Sequence, residues 1–344
     1  MPTPARAALT RFAPQAVCAL LMLGASVPAN AQSVTSADVW TRQNAGSVPS
    51  ARYSAVTAST ASGLVVLFGG INKRDVLNDT WTWDGRSWRE QFPANRPPAR
   101  SNAAMANDTA GHIVLFGGFT TSGDLRDTWT WDGRNWKQEF PTSSPSARSG
   151  ASMTSDPSSG HVILFGGIHE DSVYNDTWIW DGANWKQQFP ATSPAPRESP
   201  AMTTDGAGHV VLFGGMNQNS RMLNETWMWD GTNWKRQFPA NNPGARESAS
   251  MARDGEGHVV LFGGYPGFGA TDLDDTWSWD GINWTQQRPP AGPSARIVPA
   301  LAYHASGQIL LFGGLGHGVL NDTWIYQHGV AGPGSGGGRK ATSP

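Results

Sequence analysis

The chain has almost no capacity for crosslinking through sulfur. Its 344 residues include one cysteine, Cys18, inside an apolar N-terminal stretch. That stretch reads as a secretory signal peptide over residues 1–31. Arg6 and Arg11 make a basic start, 16–27 is apolar, and Ala29-Asn30-Ala31 has the small residues of a cleavage site. Cleavage near Ala31 would leave a mature protein without thiol, disulfide or cysteine metal ligand, in a periplasmic or extracellular setting that permits disulfides. The apolar run is well short of the ~20 residues that cross a bilayer, and no other segment comes closer, so no membrane span is expected. Charge is scarce too, at 15% of residues. Without the leader, 23 basic residues face 27 acidic ones, a net charge of about −4. With no extended basic run, nucleic acid has no electrostatic foothold.

The chain is rich instead in glycine (41), proline (24) and tryptophan (17). One phrase recurs: an apolar run ending Leu-Phe-Gly-Gly, a variable stretch, then an acid followed by Thr-Trp. Its glycine pairs begin at Gly69, Gly117, Gly166, Gly214, Gly263 and Gly313, spaced 48, 49, 48, 49 and 50 residues apart. A fixed period of this size means stacked copies of one supersecondary unit. In the second copy, 100–106, 112–116, 127–131 and 136–140 read as strands a to d, joined by turns that include Asp132-Gly133. Four antiparallel strands per unit make a propeller blade. Strand b is apolar throughout because both its faces meet neighbouring blades.

The constant spacings fix the blade count. Each strand-d tryptophan precedes an arginine by 12 residues: Trp88 and Arg100, Trp136 and Arg148, Trp185 and Arg197, Trp234 and Arg246, Trp284 and Arg296. Trp40 precedes Arg52 by the same 12, yet nothing before it forms strands a to c. The last unit ends at Asp322-Thr323-Trp324 with no strand-d tryptophan after it. Residues 37–43 should therefore pair with 322–327 and complete the last blade, closing the ring and removing two sheet edges. The expectation is an all-β, six-bladed β-propeller over 32–328, with a flexible polar tail at 329–344.

The Gly-Gly ending strand b, the aromatic of strand c and the tryptophan of strand d resemble the Kelch family of six-bladed propellers. The Trp-Asp-Gly-x-x-Trp form, as in 83–88, is similar to an exported bacterial branch likened to the central domain of galactose oxidase. The resemblance covers about 38–327. It implies the fold, but propellers host unrelated activities.

The repeat accounts for most chemically eligible residues. All 17 tryptophans fall at repeat positions. Six arginines (52, 100, 148, 197, 246, 296) are matched by six acids opening strand c (Asp79, Asp127, Asp176, Glu225, Asp275, Asp322), which predicts structural ion pairs. His112, His161, His209 and His258 recur at the a–b turns. Copies on separate blades cannot converge on one ion, so no metal site and no cofactor are expected. Subtracting the repeat leaves the b–c loops, the interval that varies most in length, from 8 to 11 residues between the second glycine and the acid. Variable loops on a rigid scaffold are where binding normally resides. These loops nominate His169, Tyr174, Arg221, Tyr265 and Phe268. The starts of strand a, on the same face, add Asn102, Glu198 and Glu247. Glu198 and Glu247 lie in adjacent blades and could share a proton, hold a cation or act as acid and base.

The expected function is that of a secreted, monomeric, non-catalytic protein that binds a protein or glycan on the face of the b–c and d–a loops. A copper-radical oxidase is excluded, because its Tyr-Cys crosslink needs a cysteine the mature chain lacks. The sialidase Asp-box does not match either, since Asp84 precedes Trp88 by four residues rather than five. A sugar mutarotase using Glu198 and Glu247 is the enzymatic alternative.

Overall fold

The computed structural model describes residues 37–330, apart from 109. The expected leader and all but the first two residues of the expected tail lie outside them. Among the described residues there is no helix, hence none long and apolar enough to cross a membrane. Six four-stranded antiparallel sheets form the blades of a propeller, each ordered a-b-c-d. The first comprises Val56–Ser59, Val65–Phe68, Thr80–Trp83 and Trp88–Gln91, and the second Ala104–Asn107, Ile113–Phe116, Thr128–Trp131 and Trp136–Glu139. Their strand-a segments begin later than the sequence suggests. Asn102 has φ +49°, a left-handed conformation that breaks an extended strand. Strand d of the second blade stops at Glu139 because Pro141 cannot donate to the ladder. Phe140 is then left 83% exposed at the outer edge.

Strand b shows why a fully apolar run is needed. In Val65–Phe68, Val65 and Leu67 pack towards the sixth blade with Leu310 and Phe312, while Val66 and Phe68 pack towards the second with Ile113 and Leu115. Alternate side chains of one strand thus feed two cores. Each strand-d tryptophan ties its blade to the preceding one. Trp136 meets Phe68 edge to face at 5.2 Å and donates Nε1–H to Thr80 Oγ1 at 2.9 Å.

The sixth blade is built from both ends of the fold: Ala300–His304, Gln308–Leu315, Val319–Val330 and Ala37–Gln43. Val39 pairs with Gln327 and Gln43 with Thr323, as the spacing predicted. Trp40 repeats the bond its counterparts make, donating to Thr276 Oγ1 at 3.0 Å and meeting Phe262 edge to face at 5.4 Å. The seam therefore uses the same interblade contacts as the other junctions.

The arginine–acid pairs form within each blade, at 2.5–2.7 Å. Arg100 illustrates the arrangement. It is 1% exposed and grips Asp127 through both carboxylate oxygens. It also donates to the carbonyls of Pro98 and Gly117. Burial alone would raise the carboxyls of Asp79, Asp127, Asp275 and Asp322, but hydrogen bonds and charge from the paired arginine outweigh it and hold them below their ordinary value. This clamp joins strand a, the end of strand b and the start of strand c, and sets the loops above it on a rigid base.

Candidate functional site

On the loop face, the chain turns sharply two residues after each clamp arginine. Ser54, Asn102, Gly150, Ser199, Ser248 and Val298 all have positive φ. Their backbones form a closed collar around the axis. Asn102 N–H donates to Ser54 C=O, Gly150 to Asn102, Ser199 to Gly150, Ser248 to Ser199, Val298 to Ser248 and Ser54 to Val298, at 2.8–3.3 Å. This circuit explains why non-glycine residues, even Val298, accept the left-handed conformation. The strain, of order 1–3 kcal/mol each, is offset by bonds between blades.

A shallow dish surrounds the collar. Its inner ring is Tyr53, Ser101, Ser149, Glu198, Glu247 and Ile297. Each is bridged antiparallel to the residue after a Gly-Gly pair: Ile71, Phe119, Ile168, Met216, Tyr265 and Leu315. These outer residues are apolar or aromatic in every blade, a shared pattern of which the sequence analysis picked out Tyr265 alone. The dish is lopsided. Glu198 and Glu247 mark the fourth and fifth blades, serines the second and third, Ile297 and Tyr53 the sixth and first.

Glu198 and Glu247 are half-buried, and neither carboxylate has an ion-pair or hydrogen-bond partner among the described residues. The nearby arginines are committed elsewhere, Arg197 to Glu225 and Arg246 to Asp275. Burial raises Glu198. Burial, and then the charge of Glu198, pushes Glu247 up to about 7. A cation, a hydrogen-bond donor or a shared proton would relieve both groups.

The loop residues divide into two sets. Phe268 is fully exposed at the tip of the fifth-blade loop. A Cβ built on Gly267 of that loop would come within 3.7 Å of Met222 in the fourth-blade loop. Arg221 beside it is exposed, and its side chain has no carboxylate partner among the described residues. Tyr265 is half-buried and bridges to Glu247 through the backbone. Asn102 is exposed at the collar. His169 is tied across to the second-blade loop, its Nδ1 3.0 Å from Asp124 Oδ2. Tyr174 is drawn into the frame. Its amide and carbonyl make the bonds that Leu77, Leu125, Leu223, Leu273 and Leu320 make elsewhere, and its ring lies 4.2 Å from the Arg148 guanidinium carbon. It thus serves the clamp, whereas Glu198, Glu247, Tyr265, Phe268 and Arg221 cluster on the fourth and fifth blades.

At the other end of the channel is a cavity of about 550 Å³, lined by Thr57, Met105, Met153, Met202, Met251 and Leu301, with Arg253 stacked on Tyr303. The methionines recur at 48 to 49 residues, a period legible in the sequence but not singled out there. Some polar groups on this wall are already engaged. Thr57 and Ser59 bond to carbonyls of the sixth blade, and Asp205 to its own turn. Glu198 and Glu247, without counter-charge, lie on the loop face.

The model of the KLHDC2/KLHL20/DRC7 Kelch-repeats domain matches residues 84–230 and again 184–329. The overlap follows from the repeat, because a model of several blades can be laid on this ring in more than one register. No curated protein matches the chain.

Proposed function

The chain belongs to the Kelch-repeat family, whose propellers serve as protein-interaction scaffolds, and from that premise we propose that it is an exported binding protein without catalysis of its own. Its ligand is a polypeptide segment that sets a lysine or arginine on Glu198 and Glu247 and an apolar side chain against Tyr265 and Phe268. One observation carries this assignment: two half-buried carboxylates in adjacent blades, without counter-charge, beside a fully exposed phenylalanine. Such groups are costly in the free protein and favourable against a cationic partner. Export rests on the leader read in residues 1–31.

The test is cross-linked capture from envelope extract with wild type, the Glu198→Gln/Glu247→Gln double variant and the Tyr265→Ala/Phe268→Ala double variant. Wild type should retain a protein that both variants lose and that high salt releases. Undiminished capture by both variants would place the site elsewhere, and capture of glycan alone would change the ligand class.

The raised Glu247 carboxyl also favours a second reading, a sugar mutarotase in which Glu247 and Glu198 exchange protons with a reducing sugar. A carboxyl near 7 suits acid–base work at neutral pH. Polarimetry of anomer exchange decides it. Acceleration by wild type, abolished in Glu247→Gln, would replace the non-catalytic assignment.

A further inference from the structure

The repeated turn histidines do not all play one part. In the second and fourth blades, Nδ1 of His112 and His209 meets the carboxylate of Asp108 and Asp205 at 3.2 and 3.1 Å, a closed pair within one turn. The fifth blade has the same turn, but its pair is open. His258 Nδ1 stands 3.4 Å from Asp254 Oδ2. Both atoms are buried and without a hydrogen-bond partner among the described residues. Asp254 is only 2% exposed. Its other oxygen already accepts the backbone N–H groups of Glu256 and His258.

Facing this turn is His328, on the closing strand Val319–Val330. The other five blades have a turn glycine at the equivalent position. The rings of His258 and His328 meet edge to face at 5.3 Å. Asp38, on the N-terminal strand, lies 2.7 Å from His328 Nδ1, although not aligned as a hydrogen bond. His328 Nε2 is 3.5 Å from Glu256 Oε2, and the same oxygen is 3.9 Å from His258 Nδ1. One donor atom each from Glu256, His258 and His328 thus lies within 4.8 Å of the other two.

We propose that Glu256, His258 and His328 bind a divalent first-row transition ion of the Zn²⁺ type, and that the ion staples the seam of the ring. Two imidazole nitrogens and one carboxylate oxygen form a donor set suited to Zn²⁺, with water as the fourth ligand. Mg²⁺ and Ca²⁺ want oxygen ligands throughout and do not fit. Bonds of ~2.0–2.1 Å in a tetrahedron put donors about 3.3 Å apart, so the present triangle needs only small rotations to close. Asp38 stands behind His328, on the ring nitrogen away from Glu256, as the carboxylate that commonly orients a ligating imidazole. The ion would take up the His258 nitrogen whose counterparts in the second and fourth blades bond to the turn carboxylate. Because the ligands come from the fifth-blade turn and from the strand that receives the N-terminal segment, binding ties that strand to the fifth blade, and Asp38 behind His328 links it to the closing segment.

Tag-free mature protein, stripped with a chelator, is titrated with Zn²⁺ alone against a chromophoric competitor while thermal unfolding is followed in parallel. One ion per chain and a raised melting temperature are expected. Glu256 is exposed, so Glu256→Gln spares the fold. It should bind at least about tenfold more weakly and lose the thermal shift, as should His328→Gln, while His209→Gln, altering the same turn in the fourth blade, should match wild type. Absence of one-to-one binding by wild type would overturn the proposal. So would undiminished binding by Glu256→Gln and His328→Gln, or an equal loss in His209→Gln.

Discussion

Replacing Glu247 by glutamine should stabilise the protein above neutral pH and leave it unchanged in acid. Burial, assisted by the charge of Glu198, raises the Glu247 carboxyl from 4.5 to about 7. A carboxyl whose folded pKa exceeds its unfolded one binds more protons in the folded state, so stability falls as pH rises between those two values. Below that window the group is protonated in both states and costs nothing. Above it the full penalty applies. At ~1.36 kcal/mol per pKa unit the penalty is about 3 kcal/mol. That is an upper figure, since solvent and salt reach the dish. Glutamine keeps the shape and removes the charge. Urea midpoints of wild type and variant, compared at about pH 3.5 and about pH 8, give the measurement. The two should agree at the lower pH and part by about 1–3 kcal/mol in favour of the variant at the higher. A gap of equal size at both values would refute the reasoning, because it would owe nothing to ionisation. A variant less stable at the higher pH would mean that Glu247 has a counter-charge after all.

Three further outcomes follow from the frame. Asp127→Asn leaves the buried Arg100 guanidinium without its counter-charge and should cost about 3–5 kcal/mol in denaturant unfolding. Trp40→Ala empties the space between Phe262 and Tyr326 and should cost about 3–5 kcal/mol, with faster proteolysis of the N-terminal strand as a second readout. Two glycines with similar φ should diverge. A Cβ on Gly117 would stand 2.6 Å from the Arg148 carbonyl oxygen, so Gly117→Ala should cost about 3 kcal/mol or more. Gly150→Ser only copies what Ser199 and Ser248 already do in the collar and should fall within about 1 kcal/mol of wild type by calorimetry.

What could be read from the sequence was whatever the period repeats as side-chain type. The Trp40-to-Arg52 interval disclosed a blade divided between the two ends of the fold, because strand-d tryptophan and clamp arginine are fixed to one rigid corner. The arginine–acid pairs were legible for the same reason. The collar was not, because it is made of main chain. Its members read Ser, Asn, Gly, Ser, Ser, Val, and nothing in a valine announces a left-handed φ. Tyr174 looked like a variable loop residue because leucine-to-tyrosine hides the shared backbone role that the bonds to Gly167 and Arg197 reveal.

Subtracting the repeat also has a blind spot at the seam. It separates what every blade has from what one blade has, and the histidine cluster needs one of each. His258 is a repeat residue, set aside with His112 and His209. His328 falls just before the tail, where the other five blades have a turn glycine. The two meet across the junction of the fifth and sixth blades, and closure brings Asp38 to His328 from the opposite end of the described chain. Glu198 and Glu247 escaped this fate because both differ from the repeat at the same position in neighbouring blades. In a closed ring of near-identical units, function can therefore lie in either of two places: where neighbours diverge together, as in the dish, or where the last unit meets the first and the period itself ends.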